Sequence, residues 1–151
     1  MRIIEPTIED LVTKLDDLTR LASAYGAEFD ALSVRTPLFI STLAATIGNP
    51  SGLVMLLASD EGQIMGVMAG HVNTDTLTGE HIAVQTILMT VKKMRGHTRS
   101  LISKFEQWAK EEGCSKVYIH TGPDQGRHKR RETVLAHSGY LPAMRCYVKE
   151  I

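Results

Sequence analysis

The sequence predicts one α+β (α/β) domain, with helices on both faces of a mixed, mostly antiparallel sheet of six or seven strands. Period-2 and helical patterns of apolar residues follow one another in the order β-α-α-β-β-β-α-β-α-β. Three consecutive strands form a meander, and the strand–helix–strand unit after it requires a parallel pair. No repeat or linker interrupts residues 1–151, a length typical of one domain.

The first third of the chain holds a strand and two helices. The run RIIEPT (Arg2–Thr7) predicts a short strand that a proline ends. Apolar residues at helical spacing then predict a helix that ends at Gly26. A second helix has Pro37 in its first turn and ends at Gly48.

The meander follows as three strands joined by two polar turns. Residues Leu53–Val72 predict a hairpin through Asp60-Glu61-Gly62, because β-forming runs flank a glycine-containing turn. Residues Asn73–Glu80 predict the second turn. The long run His81–Val91 is the third strand.

The last third alternates helices and strands. A helix after a basic stretch ends at Gly113, and Lys116–Thr121 predicts a strand. A short helix over Lys129–Ser138 ends at Gly139, and Tyr140–Glu150 supplies the final strand or strands.

Composition excludes several classes of protein. The chain is 43% hydrophobic and 23% charged, as in ordinary globular domains. No apolar run approaches the ~18 residues of a membrane span, and the N-terminus has no secretion-signal pattern. The two cysteines, Cys114 and Cys146, form no CxxC pair, so we expect free thiols in a reducing cytoplasm. No spacing of His, Cys or Asp predicts a metal site.

The net charge of zero hides an asymmetry between the two parts of the chain. Residues 1–90 carry four Lys/Arg against eleven Asp/Glu, a net of −7, and residues 91–151 carry thirteen against six, a net of +7. Such a division either helps the two parts dock or lets one meet an anion and the other a cation.

A basic stretch precedes the third predicted helix. Its charged residues surround a single glycine: Lys92, Lys93, Arg95, His97 and Arg99 around Gly96. A helix N-terminus offers unpaired backbone N–H groups, and a glycine lets a phosphate approach them. The stretch matches neither a Walker A loop nor a dinucleotide fingerprint. A solvated basic loop is the alternative interpretation.

This strand–loop–helix–strand unit, followed by a short helix ending in Gly139-Tyr140, resembles the GNAT superfamily of acyl-CoA-dependent N-acyltransferases. The family signature (R/Q)-x-x-G-x-(G/A) falls on Lys93-Met94-Arg95-Gly96-His97-Thr98, where lysine replaces Arg/Gln and threonine replaces a small residue. The resemblance implies a GNAT-like sheet and a pyrophosphate site for acetyl-CoA. That site would be formed by Lys93, Met94, Arg95, Gly96, His97, Thr98 and Arg99.

The resemblance also assigns the strand before the signature. It implies that Leu88, Met89 and Thr90 pair with the pantetheine arm of the cofactor and that a backbone N–H there polarises the thioester carbonyl. Such a donor stabilises the charge that develops on the carbonyl oxygen. His128 stands where the family often has an asparagine near the pantetheine.

Acetyl transfer to an amine requires a general base, since only the free amine is nucleophilic. The family often takes the base from the central strands, which here offer Glu80 first and His81 or His71 as alternatives. Each of these residues could equally be an ordinary strand or turn residue.

The family often takes the acid that protonates the departing thiolate from a tyrosine four residues before the glycine of a Y-x-x-x-G-F motif. That position is Leu135 in TVLAHSGY. Tyr147 or Tyr118 could serve instead, or the thiolate could leave unassisted, because a thiol has a pKa near ~8.5.

The resemblance implies an acetyl-CoA-dependent N-acetyltransferase that acts by direct transfer to a primary amine. The acceptor could be a small molecule or a protein or peptide amine, and homodimers are common among such domains. One alternative is an inactive CoA-binding or protein-interaction module of the same fold. Another is a nucleic-acid binder using the run Arg127–Arg131, which the scarcity of aromatic residues (5%) disfavours.

Overall fold

The computed structural model describes residues 1–28, 34–120 and 128–143, and for Lys92, Met94, Arg95 and residues 128–131 it describes the backbone alone. The chain divides into two compact units, Met1–His120 and Thr121–Ile151. The expectation of a single domain over residues 1–151 stays a prediction.

The helices of the first unit are α1 (Ile8–Thr13), α2 (Leu15–Glu28), α3 (Thr36–Ile47) and α4 (Thr98–Glu111), and a 3-10 helix over Lys92–His97 precedes α4. At the start of α1 the Asp10 amide donates to Thr7 Oγ1 at 3.2 Å and the Thr7 amide donates to Asp10 Oδ2 at 2.8 Å. This capping box satisfies two amides that the helix itself leaves without partners.

One prediction for the first helix is wrong. Two helices replace the single one, with a break at Lys14, and α2 runs past Gly26 to Glu28. At the break the Lys14 ammonium donates to the Gly62 carbonyl at 3.2 Å, which ties this turn to the β-hairpin. Gly26 lacks the positive φ with which a glycine usually ends a helix, whereas Gly113 has a φ of 74° after α4.

Five strands form one sheet in the order β1 (Arg2–Ile4), β2 (Gly52–Ala58), β3 (Ile64–Thr74), β4 (His81–Thr90), β5 (Lys116–Tyr118). The pairs are antiparallel except for β4 with β5, which is parallel. The mixed, mostly antiparallel class is therefore confirmed. The described residues contain five strands rather than six or seven; residues 140–143 form no strand, and 144–151 lie outside the description.

The two faces of the sheet hold separate cores. Leu18, Leu43 and Val67 are buried where α1, α2 and α3 cover one face. On the other face α4 approaches so closely that a Cβ on Gly70 would lie 2.6 Å from Phe105 Cζ. Each such buried side chain contributes about 1.5–3 kcal/mol relative to exposure, so helices on both faces fix the sheet between them.

The second unit contributes one described helix, α5 (His128–His137), close to the predicted Lys129–Ser138. Gly139 ends it with a φ of 85°, and the Tyr140 amide donates to the Leu135 carbonyl at 3.0 Å. Across the described part of the chain, no helix combines the length and apolar character that crossing a membrane requires.

Candidate active site

Among the described residues, the backbone pairing of β4 with β5 ends midway along β4. They pair in register only from Ile82↔Lys116 to Val84↔Tyr118, where β5 ends. Beyond that point the His120 amide donates to the side-chain Oε1 of Gln85 at 2.9 Å, in place of a backbone carbonyl of β4. Gln85 is only 4% exposed. The amide side chain therefore spans the widening gap where backbone pairing stops.

A β-bulge decides which backbone groups of β4 face this gap. Ala69 pairs with Ile87 but Gly70 pairs with Gln85, so Thr86 is an extra residue on β4. Before the bulge the His81 carbonyl accepts from the Ser115 amide on the β5 side, at 2.9 Å. Beyond it the Val91 amide donates to Met65 on the β3 side, at 3.0 Å.

After the bulge, the backbone N–H and C=O groups of successive β4 residues point alternately toward β3 and toward the β5 side. The N–H and C=O of Leu88 and Thr90 therefore point to the gap, whereas those of Met89 point to β3. The Met89 side chain packs against the core formed with α1, α2 and α3. The segment predicted to align a thioester thus presents two residues to the gap, not three.

The basic stretch is a 3-10 helix rather than the predicted open loop. In such a helix each amide donates to the carbonyl three residues earlier, so the turn itself uses amides that an anion would need. The 3-10 helix includes Gly96 and continues directly into α4 at Thr98. His97 is the N-cap residue of α4, and its side chain makes no capping hydrogen bond. The first turn of α4 contains no Asp or Glu.

Gly96 lies exposed in this 3-10 helix. A Cβ added there would have no atom of the described residues within 4 Å, and its φ is not in the left-handed region. Neither packing against the described residues nor the backbone conformation at this position therefore requires a glycine. Close approach of a ligand is a remaining physical reason for one.

Thr98, which departs from the small residue of the predicted signature, has a structural partner. Its hydroxyl lies 3.2 Å from the hydroxyl of Thr90, and the pair is partly buried. The hydrogen bond joins the end of β4 to the first residue of α4. The departure therefore has a structural explanation within this fold.

A shallow groove of about 550 Å³ runs along the outer side of α4. Its lining combines two cations with small polar groups: Gly96, Arg99, Ser100, Ser103, Lys104 and Gln107. Lys104 pairs with Glu5 at 3.1 Å. We refer to this surface as the α4 groove; its chemistry suits an anion.

A second groove, of about 530 Å³, lies between α3 and the sheet, and we refer to it as the α3 groove. Its lining is mostly neutral: Ser41, Thr42, Ala45, Thr46, Asn49, His71 and Thr86. His71, on β3, is half-buried there. The bulge residue Thr86 precedes Leu88 by two positions, which places the groove roughly 7 Å along β4 from the backbone group that faces the gap.

The other two candidate bases lie at the turn between β3 and β4. The Glu80 carboxylate accepts from the Lys116 ammonium at 2.5 Å, and this hydrogen bond raises the pKa of Lys116. His81 is exposed, and its Nδ1 lies 3.4 Å from the Thr74 hydroxyl. Of the three candidates, His71 alone is among the described residues that line the α3 groove.

The remaining candidates belong to the second unit or to the end of β5. Tyr147 and Arg127 lie outside the described residues, and only the backbone of His128 is described. Leu135 is 6% exposed on α5, and Tyr118 is half-buried at the end of β5. Over the described ranges, no group of three His, Cys, Asp or Glu residues is placed to hold a metal ion.

Sequence reasoning noted Gln85 on this strand but not its hydrogen bond to the His120 amide, and it missed Thr86 and the hydroxyl face of α3. The threonines of that face stand four residues apart, Thr42 and Thr46, a spacing that places them on one side of a helix. Nothing in the sequence marked that side as the wall of a groove, because the groove needs the sheet to complete it.

Comparison with known proteins identifies the family. Residues 18–131 match the model of the acetyltransferase (GNAT) family. A comparison with curated protein sequences finds no significant match.

Solved structures share the fold at low sequence identity. A transcriptional regulator from Bacillus halodurans C-125 superposes with a TM-score of 0.75 at 15% identity, over 99% of each chain. A structure described as a probable acetyltransferase gives 0.74 at 18% identity, over 100% of this chain and 98% of the other. The aminoglycoside 6'-N-acetyltransferase AAC(6')-Ig from Acinetobacter haemolyticus gives 0.72 at 16% identity, over 100% and 99%. Because the family model covers most of the sequence, the resemblance inferred from the signature is confirmed: this chain belongs to the GNAT acetyltransferase family.

Proposed function

We propose that this acetyltransferase moves the acetyl group of acetyl-CoA directly to a primary amine. The observation that carries the proposal is the gap beside β4, toward which the N–H and C=O of Leu88 and Thr90 point. In the reaction the carbonyl carbon gains a bond to the amine nitrogen and loses its bond to the coenzyme A sulfur. The Leu88 amide would donate to the carbonyl oxygen as negative charge develops there.

The phosphates would bind where β4 gives way to α4. Exposed Lys93 and Arg99 carry positive charge there, and the open space at Gly96 fits a diphosphate that approaches the backbone. Since the 3-10 helix uses its own amides, binding through the backbone of Arg95 to Thr98 would require this turn to open. Lys93, Met94, His97 and the rest of the signature stay site predictions.

We place the general base at His71, ahead of Glu80 and His81. His71 is half-buried in a neutral groove beside β4, and histidine is the side chain whose charge changes most readily near physiological pH. The Glu80 carboxylate already accepts a short hydrogen bond from the Lys116 ammonium, so it is engaged by a cation of the protein itself. A proton taken from the ammonium would therefore go to the imidazole, directly or through one water.

The Cys114 thiol, the one cysteine among the described residues, is a poor candidate for a covalent intermediate, which favours direct transfer. Burial, with a further contribution from Glu112, raises the pKa of the Cys114 thiol. A raised pKa keeps the thiol protonated and so poorly nucleophilic at neutral pH. The departing coenzyme A thiolate could leave unassisted or take a proton from Tyr118 or Tyr147.

A second candidate function is binding of coenzyme A without catalysis. The specific observation in its favour is Leu135, an apolar and buried residue at the position where the family often has its proton-donating tyrosine. This candidate shares the cofactor site and differs only in the absence of thioester cleavage.

Two measurements separate these functions. Calorimetry with acetyl-CoA tests the shared cofactor site, and we expect micromolar affinity. A thiol-release assay over a panel of primary amines then tests catalysis, and we expect release that depends on the amine. Binding without release with any amine would favour the inactive module. Absence of binding would overturn both.

A further inference from the structure

Each hydroxyl group that lines the α3 groove donates its hydrogen bond to a backbone carbonyl. On α3, Ser41 Oγ and Thr42 Oγ1 donate to the Leu38 carbonyl at 2.9 and 2.8 Å, and Thr46 Oγ1 donates to the Thr42 carbonyl at 2.8 Å. On β4, Thr86 Oγ1 donates to the Ala69 carbonyl at 3.2 Å. A carbonyl oxygen can only accept, so the direction of each bond is fixed.

A hydroxyl that has donated its hydrogen offers only lone pairs to any further partner. The four groups therefore line the groove with hydrogen-bond acceptors. Asn49 complements them, because its Oδ1 accepts from the Ser51 amide at 3.0 Å and its amide nitrogen is then the atom that can donate to a ligand. Such a lining recognises a molecule rich in N–H and O–H donors.

The charge of the lining limits what that molecule can be. None of the described residues that line the α3 groove is an Asp or Glu, and His71 is the one titratable side chain among them. Neutral oxygen acceptors satisfy the three N–H bonds of one ammonium, but they supply no negative charge to attract a second or third cation. The lining therefore suits a single charge.

From these observations we propose that the α3 groove binds a primary monoamine whose neighbouring carbon atoms carry hydroxyl groups. The inference rests on the proposed function, since it names the class of acceptor at the same site. The hydroxyl groups of the ligand would donate to the oxygens of Thr42, Thr46 and Thr86 and accept from Asn49. The amine nitrogen would lie toward His71 and β4.

The test compares two amines with one carbon skeleton, 2-amino-1,3-propanediol and 2-aminopropane. Both are ammonium ions at pH 7, as lysine is. Calorimetry on the full chain with coenzyme A present should give at least about tenfold tighter binding of the diol, since each hydrogen bond contributes about 1 kcal/mol and 1.4 kcal/mol is a factor of ten. Spermidine should bind no better than 2-aminopropane. Equal affinity for the two matched amines, or a preference for spermidine, would overturn the proposal.

A double variant tests the location. Thr42→Val with Thr46→Val keeps the shape of both side chains and removes two acceptor oxygens, so the advantage of the diol should fall below about threefold. Thr13→Val is the matched control, because Thr13 Oγ1 makes the same kind of bond to its own helix, to the Asp10 carbonyl at 2.9 Å, outside the groove. An unchanged preference in the double variant would place the ligand elsewhere.

The binding readout separates this inference from the proposed function. Binding of the diol that depends on the threonines, without thiol release, would support the ligand class while counting against catalysis. Thiol release with 2-aminopropane or spermidine in preference to the diol would support catalysis while overturning the ligand class.

Discussion

The α3 and α4 grooves differ in the chemistry of their walls although one sheet separates the helices that form them. The α3 groove presents hydroxyl oxygens and one histidine, and the α4 groove presents Arg99 and Lys104 beside Gly96. The first suits a donor with little charge, and the second suits an anion. The α3 groove includes Thr86 of β4, whereas the α4 groove begins at Gly96, in the turn that follows β4, and contains no strand residue. Two surfaces of unlike chemistry therefore lie near the two ends of the segment that runs from the bulge of β4 to the start of α4.

The largest expected effect is on the anion side. Gly96→Asp should weaken acetyl-CoA binding by about 100-fold, because a carboxylate would enter the open space at this position and repel the phosphates. Calorimetry measures it. Gly96→Asn, of the same shape without charge, should lose about tenfold. Gly48→Ala should lose nothing, since its nearest contact would be an ordinary 3.6 Å. Wild-type affinity in Gly96→Asp would remove the phosphate site from this turn.

The next largest effect is on the amine side. His71→Asn should lower kcat by roughly 100-fold to 10,000-fold and leave the KM for acetyl-CoA unchanged, because it removes a proton acceptor but no phosphate contact. The pH profile of kcat/KM should also lose one limb. His81→Asn, which changes an exposed histidine of the next strand, serves as the comparison. An equal loss in His81→Asn would move the base out of the α3 groove.

The two cations of the α4 groove should contribute unequally. Arg99→Ala should weaken acetyl-CoA binding by about tenfold at low salt, and the loss should shrink as ionic strength rises. Lys104→Ala should cost less than about twofold, because Glu5 already engages this ammonium at 3.1 Å. Titrations at two salt concentrations measure both. Equal effects would mean that the ion pair with Glu5 opens when the cofactor binds.

A smaller effect should separate stability from binding at the start of α4. Thr98→Ala should lower the free energy of unfolding by about 1 kcal/mol through loss of the hydrogen bond to Thr90, while acetyl-CoA affinity stays within about twofold. Thr90→Ala and the double variant complete a cycle that isolates the pair. Denaturant titration measures the first quantity. A strong loss of affinity in Thr98→Ala would give the hydroxyl a role in binding.

The smallest effect should come from Glu80, the base expected first from the sequence. Glu80→Gln should change kcat/KM by less than about twofold if His71 acts as the base. The pair with Glu80 raises the pKa of Lys116 above its ordinary 10.5, so its contribution to stability is present below that pH and is lost as pH rises through the higher folded value. The melting temperatures of the wild type and of Glu80→Gln should therefore differ slightly at neutral pH and converge in strong alkali. A loss of activity like that of His71→Asn would restore Glu80 as the base.

Local signals predicted the order of the elements and many of their ends. Pro37 and Gly48 bound α3 as expected, and Gly113 and Gly139 follow α4 and α5 with positive φ. Gly26 misled because the identity of a glycine does not determine its φ. At the break in the first helix, the Lys14 ammonium donates to the Gly62 carbonyl, and this hydrogen bond joins residues far apart in the chain.

The site was predictable only in outline. The sequence located the strand and the basic turn, but not the bulge at Thr86, which depends on the register with β3. That bulge turns Leu88 and Thr90, rather than Met89, toward the gap. Likewise, His71 is the preferred candidate base because it lines a groove together with α3 residues, which lie more than twenty positions earlier in the chain. Alternation along one strand could not reveal either relation.

The hydrogen bond between Gln85 and His120 has a consequence for how such openings vary. The separation of the two strands at this level corresponds to the length of one side chain, because an amide two methylene groups from the backbone receives the N–H that a neighbouring carbonyl would otherwise accept. Exchanging that glutamine for asparagine would shorten the spacer by one carbon, and an aliphatic residue would remove the acceptor of the His120 N–H. One side chain thus holds the two backbones together at the edge of the opening, and it can be exchanged without altering any helix.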